Sequence, residues 1–169
     1  MKRALFVGRF QPFHLGHLRV VKDAKRDGFD EIVIVIGSAQ RSDTRENPFT
    51  SEERVEMIDS ALQGIGLKYR LIPVDDTKSD EVWVENVETL APKFDAVYAN
   101  GPVKTIFEGR GYEIIDPKPG DDETRISGER IRKMIADSDE RWKSMVAEKI
   151  CEKILELNGV ERIKKLNSL

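Results

Sequence analysis

Ala4-Leu5-Phe6-Val7-Gly8-Arg9-Phe10-Gln11-Pro12-Phe13-His14-Leu15-Gly16-His17 opens the chain with a sharp change of pattern. Four successive apolar residues predict a buried strand, and Gly8 ends it. Leu18, Val20, Val21 and Ala24 then recur at helical spacing until Gly28. The alternation repeats along the chain. A strand over Ile32 to Ile36 stops at Gly37. Thr50 and Glu53 form a capping-box pattern opening a helix whose inner face is Val55, Ile58, Ala61 and Leu62, closed near Gly64. Tyr69 to Val74 is a third strand, Val82 to Leu90 a third helix stopped by Pro92, and Ala96 to Tyr98 a fourth strand entering the Asn100-Gly101-Pro102 turn. Tyr112 to Ile115 makes a fifth. Strands this apolar, separated by helices, predict a parallel sheet covered on both faces, because parallel strands need crossover helices. The expected fold class is α/β, a Rossmann-like doubly wound parallel sheet of about five strands. Pro117 to Asp122 reads as a loop, and a C-terminal helical segment of two or three helices begins at about residue 127. In such sheets ligands bind beyond the C-terminal strand ends, where the strand order reverses. The loops after Val7, Ile36, Val74 and Tyr98 are therefore the places for a site.

Composition narrows the ligand. A chain of 169 residues fits one domain, residues 1–169, and buries roughly two-thirds of its unfolded surface without a metal or disulfide staple. With 39% hydrophobic and 35% charged residues it reads as a soluble globular protein. The formal net charge of −3 supplies no global field for nucleic acid, so an anionic substrate has to be caught by a local cluster of donors. A small phosphorylated ligand fits better than a duplex. Cys151 is the single cysteine, which excludes an internal disulfide and a cysteine-based zinc site. The apolar run Ile32 to Ile36 is far too short for a bilayer, and the N-terminus runs into a strand without a signal-peptide pattern, so a cytoplasmic location with no membrane partner is expected.

Both histidines of the chain stand within the ten residues after the first strand. A spacing of three at a helix start puts His14 and His17 on one face of the first turn, where unpaired N–H groups and the helix dipole favour an anion. Arg9 adds a fork of donors suited to phosphate, and Gly16 leaves room for a ligand's close approach. Further on, Ser127 is placed to cap the helix that follows, giving a second helix N-terminus with Arg125, Arg130 and Arg132 nearby. Two such ends facing a cleft would hold a triphosphate from both sides. Plainer readings exist for each residue. The histidines suit a half-exposed polar pair or two zinc ligands, although Gly8, Gly16 and Arg9 fit neither. Trp83 suits a core anchor, Ser127 a cap alone, and Lys164 and Lys165 a helix C-terminus matched to its dipole.

These segments, with Gly37-Ser38-Ala39-Gln40, Asn47-Pro48-Phe49-Thr50, Trp83, Pro92-x-Phe94-Asp95 and the terminal Asn158-Gly159-Val160-Glu161-Arg162-Ile163, resemble the archaeal nicotinamide-nucleotide adenylyltransferases of the HxGH nucleotidyltransferase superfamily. The resemblance spans nearly the whole chain. His14-Leu15-Gly16-His17 alone points only to the superfamily, whereas the longer N-terminal string with Gly37-Ser38-Ala39-Gln40 is much more specific. It implies adenylyl transfer from ATP to nicotinamide mononucleotide (NMN), giving NAD and pyrophosphate, in a single nucleotidyltransferase domain. It also implies Mg2+ carried with the ATP phosphates and a homo-oligomer, a hexamer among the forms. Carried over by position, Arg9, His14 and His17 are the expected catalytic residues. Gly8, Phe10, Gly16, Ile126, Ser127, Arg130 and Arg132 join them around ATP, and Phe10, Gln11, Ser38, Asp76, Trp83 and Asn100 around NMN. No metal ligand is expected from the protein. Two positions depart from the family: Glu129 stands where Thr is usual, and Ala99-Asn100-Gly101-Pro102 replaces Ser-Gly-Asn-Pro.

Other activities lie close by. A different acceptor, phosphopantetheine or a riboflavin phosphate, would leave the ATP half unchanged, but Phe10-Gln11-Pro12-Phe13 with Trp83 resembles the nicotinamide enzyme. A non-catalytic nucleotide sensor would keep the fold, with Glu129 as the mark of lost chemistry. Class I aminoacyl-tRNA synthetases share the His-x-Gly-His element, yet the chain is short for an added RNA-binding domain and has no Lys-rich second signature.

Overall fold

The computed structural model describes residues 1–117 and 126–169. Arg125, and the expected loop from Lys118 onward, lie outside the described residues. Five strands, β1 (Arg3–Gly8), β2 (Glu31–Ile36), β3 (Lys68–Pro73), β4 (Ala96–Tyr98) and β5 (Glu113–Ile115), form one sheet in the order β3-β2-β1-β4-β5. Every pairing is parallel. The order reverses between β1 and β4, so the ends of those two strands mark the switch point expected of a doubly wound sheet.

The helices are α1 (Leu15–Arg26), α2 (Ser51–Leu62), α3 (Asp80–Leu90), α4 (Gly101–Phe107), α5 (Gly128–Ala136), α6 (Glu148–Glu156) and α7 (Gly159–Asn167), with a 3-10 helix over Glu140–Met145. None of them is long and apolar enough to cross a membrane. Three differ from the sequence reading. Asn100-Gly101-Pro102 is the start of α4 rather than a turn, because proline is welcome in a first helical turn, where its missing N–H would go unpaired anyway. Helix α3 begins two residues early, at Asp80, because the Ser79 hydroxyl accepts the Val82 N–H as its cap. Thr50 and Glu53 do form the reciprocal capping box of α2, but the buried face of that helix is Arg54, Met57, Ile58 and Leu62. Val55 and Ala61 are only half-buried.

The chain divides into two compact units. The first comprises Met1–Gly8, Val20–Gln40 and residues 65–117, and holds the whole sheet. Alternate residues of its strands, Leu5, Val33, Val35 and Val97, pack with Val84 and Val87 of α3 and Phe107 of α4 in a dry core. On the other side the Tyr98 hydroxyl donates to Asp27, just past α1, at 2.6 Å. At the N-terminal strand ends Glu31 accepts from Arg3 and Arg70, tying β1, β2 and β3 together. The opposite ends are left to carry loops.

The second unit comprises Arg9–Arg19, Arg41–Gly64 and residues 126–169. Here α2 packs on α6, and α7 on both α5 and α6. Arg162 of α7 grips both carboxylate oxygens of Glu53, at 2.6 and 2.9 Å, and also donates to the Pro48 carbonyl. The capping box of α2 is thereby tied to the C-terminal helix.

Candidate active site

The histidine segment is folded by its own side chains. His14 is the N-cap position of α1, since its carbonyl accepts the Leu18 N–H at 3.0 Å. Its backbone N–H donates to His17 Nδ1 at 3.1 Å, and the Gly16 N–H donates to His14 Nδ1 at 3.2 Å. Imidazole nitrogens thus fill the places that hydroxyl and carboxylate oxygens fill in an ordinary capping box. Two N–H groups expected to await an anion are therefore taken by the rings. With each Nδ1 accepting, the proton of the neutral ring sits on Nε2, so both imidazoles keep one N–H donor. The rings stack with centroids 3.6 Å apart and planes 21° from parallel. Burial lowers the His14 pKa to about 4, and burial together with the neighbouring His14 pushes His17 down as well. Gly16 serves the ring: a Cβ there would lie 3.0 Å from His14 Cε1, so glycine makes room for the imidazole.

Beneath this pair Phe10 is buried, with its ring edge-on to His17 at 4.8 Å. Gln11 is buried too, and both ends of its amide hydrogen-bond to one residue. It donates to the Phe49 carbonyl at 2.9 Å and accepts the Phe49 N–H at 3.0 Å. Gln11 consequently clamps the Asn47-Pro48-Phe49 segment while lining the cavity described below.

The second signature behaves as its cap predicts. The Ser127 hydroxyl accepts the Arg130 N–H at 3.1 Å and opens α5. Arg132, buried one turn later, donates to the Gln11 carbonyl at 2.8 Å. Its own burial, then the positive charge of Arg9, lowers its pKa, while Glu129 and Glu46 oppose that shift. Gly128 is needed because a Cβ would stand 3.1 Å from the Gln11 carbonyl oxygen.

Arg9, Phe10, His14, His17, Ile126, Ser127 and Arg132 all line one open cavity of about 1020 Å³ in the second unit. Arg130 does not line it: its side chain is near Asp139. Gln11 and Glu129 line the cavity too, and the sequence reading missed Arg45, Glu46, Lys133 and, at the end of α7, Lys164, Asn167 and the C-cap Ser168. Arg45 donates to the last carbonyls of α7, an attachment that no local pattern announces.

Gly8, expected at ATP, and the acceptor candidates Ser38, Asp76, Trp83 and Asn100 belong to the first unit, whereas the acceptor candidates Phe10 and Gln11 lie in the second. Gly8 ends β1, and its carbonyl accepts the Gly37 N–H. Ser38, with a left-handed φ of 48°, donates its hydroxyl to Asp76 at 2.9 Å, and the Gln40 side chain brackets the Asp76 backbone. Trp83 is half-buried, one edge against Phe107. Asn100 is exposed and makes no side-chain cap bond to α4. Among the described residues no group of three or more His, Cys, Asp or Glu side chains could hold a metal ion.

An all-parallel, doubly wound sheet in the first unit, and in the second a cavity lined by paired imidazoles, arginines and a capped helix N-terminus, are features suited to a nucleotidyltransferase. The cytidylyltransferase-like family matches residues 5–134, and the chain belongs to that family. Its near-full-length relatives narrow the membership to the nicotinamide-nucleotide adenylyltransferases. The enzyme of that name from Methanolobus tindarius is 43% identical over 99% of this chain and 95% of its own. The one from Methanococcus aeolicus is 45% identical over 98% and 95%. Among solved structures, a bifunctional NMN adenylyltransferase/ADP ribose pyrophosphatase from Francisella tularensis has a TM-score of 0.73 at 21% identity, matching 99% of this chain. This chain spans about half, 53%, of that one. Plasmodium falciparum nicotinic acid mononucleotide adenylyltransferase has a TM-score of 0.66 at 14% identity, over 95% and 97% of the two chains. At those identities the likeness is one of fold.

Proposed function

We propose that this chain transfers the adenylyl group of ATP to the phosphate of NMN, forming NAD and releasing pyrophosphate. The observation that carries the chemistry is the His14–His17 pair, stacked and with each Nδ1 accepting a backbone N–H, in one cavity with Arg9, Arg132 and the capped start of α5. The NMN phosphate, with a second pKa near 6, is already a dianion at neutral pH and needs no general base. One of its oxygens attacks the α-phosphorus of ATP, the bond to the β-phosphate oxygen breaks, and pyrophosphate leaves.

The protein's task is alignment and stabilisation of charge on the α-phosphoryl and pyrophosphate oxygens. His14 and His17 contribute N–H donors, Arg9 and Arg132 guanidinium donors, and the α5 N-terminus backbone N–H groups with Ile126 and Ser127 beside them. In the first unit Trp83 supplies a ring face for nicotinamide, and Ser38, Asp76 and Asn100 supply polar contacts. Phe10 and Gln11 act as supports for the phosphate segment. Magnesium enters with the substrate, held by phosphate oxygens and water as this ion prefers. We take residues 1–169 to work as one nucleotidyltransferase domain, in the cytoplasm, as a homo-oligomer whose hexameric form light scattering would test.

The experiment is a screen of ATP against NMN, nicotinic acid mononucleotide, phosphopantetheine and riboflavin phosphate, read by pyrophosphate release and product chromatography. NAD formation from NMN at the highest kcat/KM is expected. Turnover with phosphopantetheine or the flavin but not NMN would overturn the assignment.

A further inference from the structure

Arg54 has no exposed surface at all, although it lies on the α2 face where the sequence pattern calls for apolar residues. A buried guanidinium costs desolvation that an apolar side chain of the same volume avoids, so stability alone does not explain it. Its Nη1 donates to the Arg9 carbonyl at 2.9 Å, and its Nε to the Thr50 carbonyl at 3.2 Å. The Arg9 carbonyl belongs to the peptide that leads into Phe10. Phe10 has φ of 54°, a left-handed conformation that a bulky residue keeps only when its surroundings hold it. On one side of this peptide the Arg9 side chain stands exposed in the cavity; on the other, the Phe10 ring is buried against His17.

We propose that Arg54 is a positioning residue for the transfer reaction: by holding the Arg9–Phe10 peptide it sets the direction from which the Arg9 guanidinium reaches the phosphates. The inference rests on the adenylyltransferase reading and on Arg9 as a phosphate ligand. Arg54 touches no substrate; it acts through Arg9.

The test is a double-mutant cycle on kcat with ATP and NMN. Arg54→Met removes the whole guanidinium, including the donors to the Arg9 and Thr50 carbonyls. Arg54→Lys, which keeps the charge but gathers its donors on a single nitrogen, is measured beside it so that a misfolded methionine variant does not decide the matter. Wild-type NAD formation and the loss in Arg9→Ala are measured first, and they test the underlying reading separately. A folded Arg54→Lys protein should lose about tenfold in kcat, less than the roughly hundredfold that a full ångström's misplacement of a catalytic group can cost. Its KM for NMN should stay within about twofold, since removing an interaction made only in the transition state leaves ground-state binding unchanged. In the Arg9→Ala background the same change should cost less than about twofold, because residues that act through one another are not additive. Equal losses with and without Arg9, or unchanged kcat in a folded Arg54 variant, would overturn the proposal.

Discussion

Two imidazoles stacked at 3.6 Å repel strongly once both are charged, by about 4 kcal/mol at a protein-like dielectric. Burial acts in the same sense, so the free protein holds both rings neutral well below the ordinary histidine range. The sign for stability follows from linkage. Between its ordinary pKa of 6.5 and its folded value of about 4, His14 takes up a proton in the unfolded chain that the folded chain refuses. Stability should therefore fall as pH drops through that window, and more steeply in the wild type than in His14→Gln, when thermal midpoints are compared. Parallel curves would mean that His14 is not held neutral. His17→Ala should fold normally yet lose on the order of a hundredfold in turnover, as removal of one charge-stabilising donor does; near-normal kinetics would remove it from the mechanism. Arg9→Lys should also cost activity, because an ammonium cannot make a two-pronged phosphate contact, and unchanged kinetic constants would count against Arg9 as a phosphate ligand. Residue types and spacing made these three positions legible in the sequence. The Nδ1 locking was not legible, because it depends on ring orientations that spacing leaves open. Nor was the engagement of Gln11 with Phe49, a pairing across 38 residues.

The start of α5 is where helix geometry and charge meet. Glu129 is exposed in the first turn of that helix and close enough to Arg132 to favour its charged form. Glu129 also lines the cavity that holds the histidines, and there the helix dipole and Arg132 offset its charge beside the phosphates. Glu129→Thr should therefore change KM for ATP only a few-fold, and a hundredfold gain would show that the carboxylate does oppose the triphosphate and would favour the sensor reading. Gly128→Ala should be more damaging, because its Cβ would meet the Gln11 carbonyl at 3.1 Å and push the helix start away from the Arg132 bond. A loss of about tenfold in kcat/KM, without loss of helical circular dichroism, is expected from so small a displacement. Full activity would mean that the contact relaxes freely. The caps of α2 and α5 were legible because both signals are local. The wrong edges came from the same locality: Asn100-Gly101-Pro102 has the chemistry of a turn and of a helix start alike, and only the continuation to Phe107 decides between them.

At the scale of the molecule, alternation of buried strands and helices announced the parallel sheet, because every strand has to be crossed back by a helix. The strand order, with its reversal between β1 and β4, is a property of long-range pairing that local pattern does not encode. The far wall of the cavity was hidden for a similar reason. Lys164, Asn167 and the C-cap Ser168 come from the end of the last helix, more than a hundred residues from the histidines, and read in sequence only as a helix end. What unites these parts is one reaction, direct transfer of an adenylyl group between two phosphates. The most direct test follows the α-phosphate of ATP, supplied with a label at that phosphorus, together with NMN and magnesium. The account predicts that the label appears in NAD, with one pyrophosphate released for each NAD formed. Label remaining in ATP despite measurable nucleotide binding, or passing to AMP with no dinucleotide made, would contradict it.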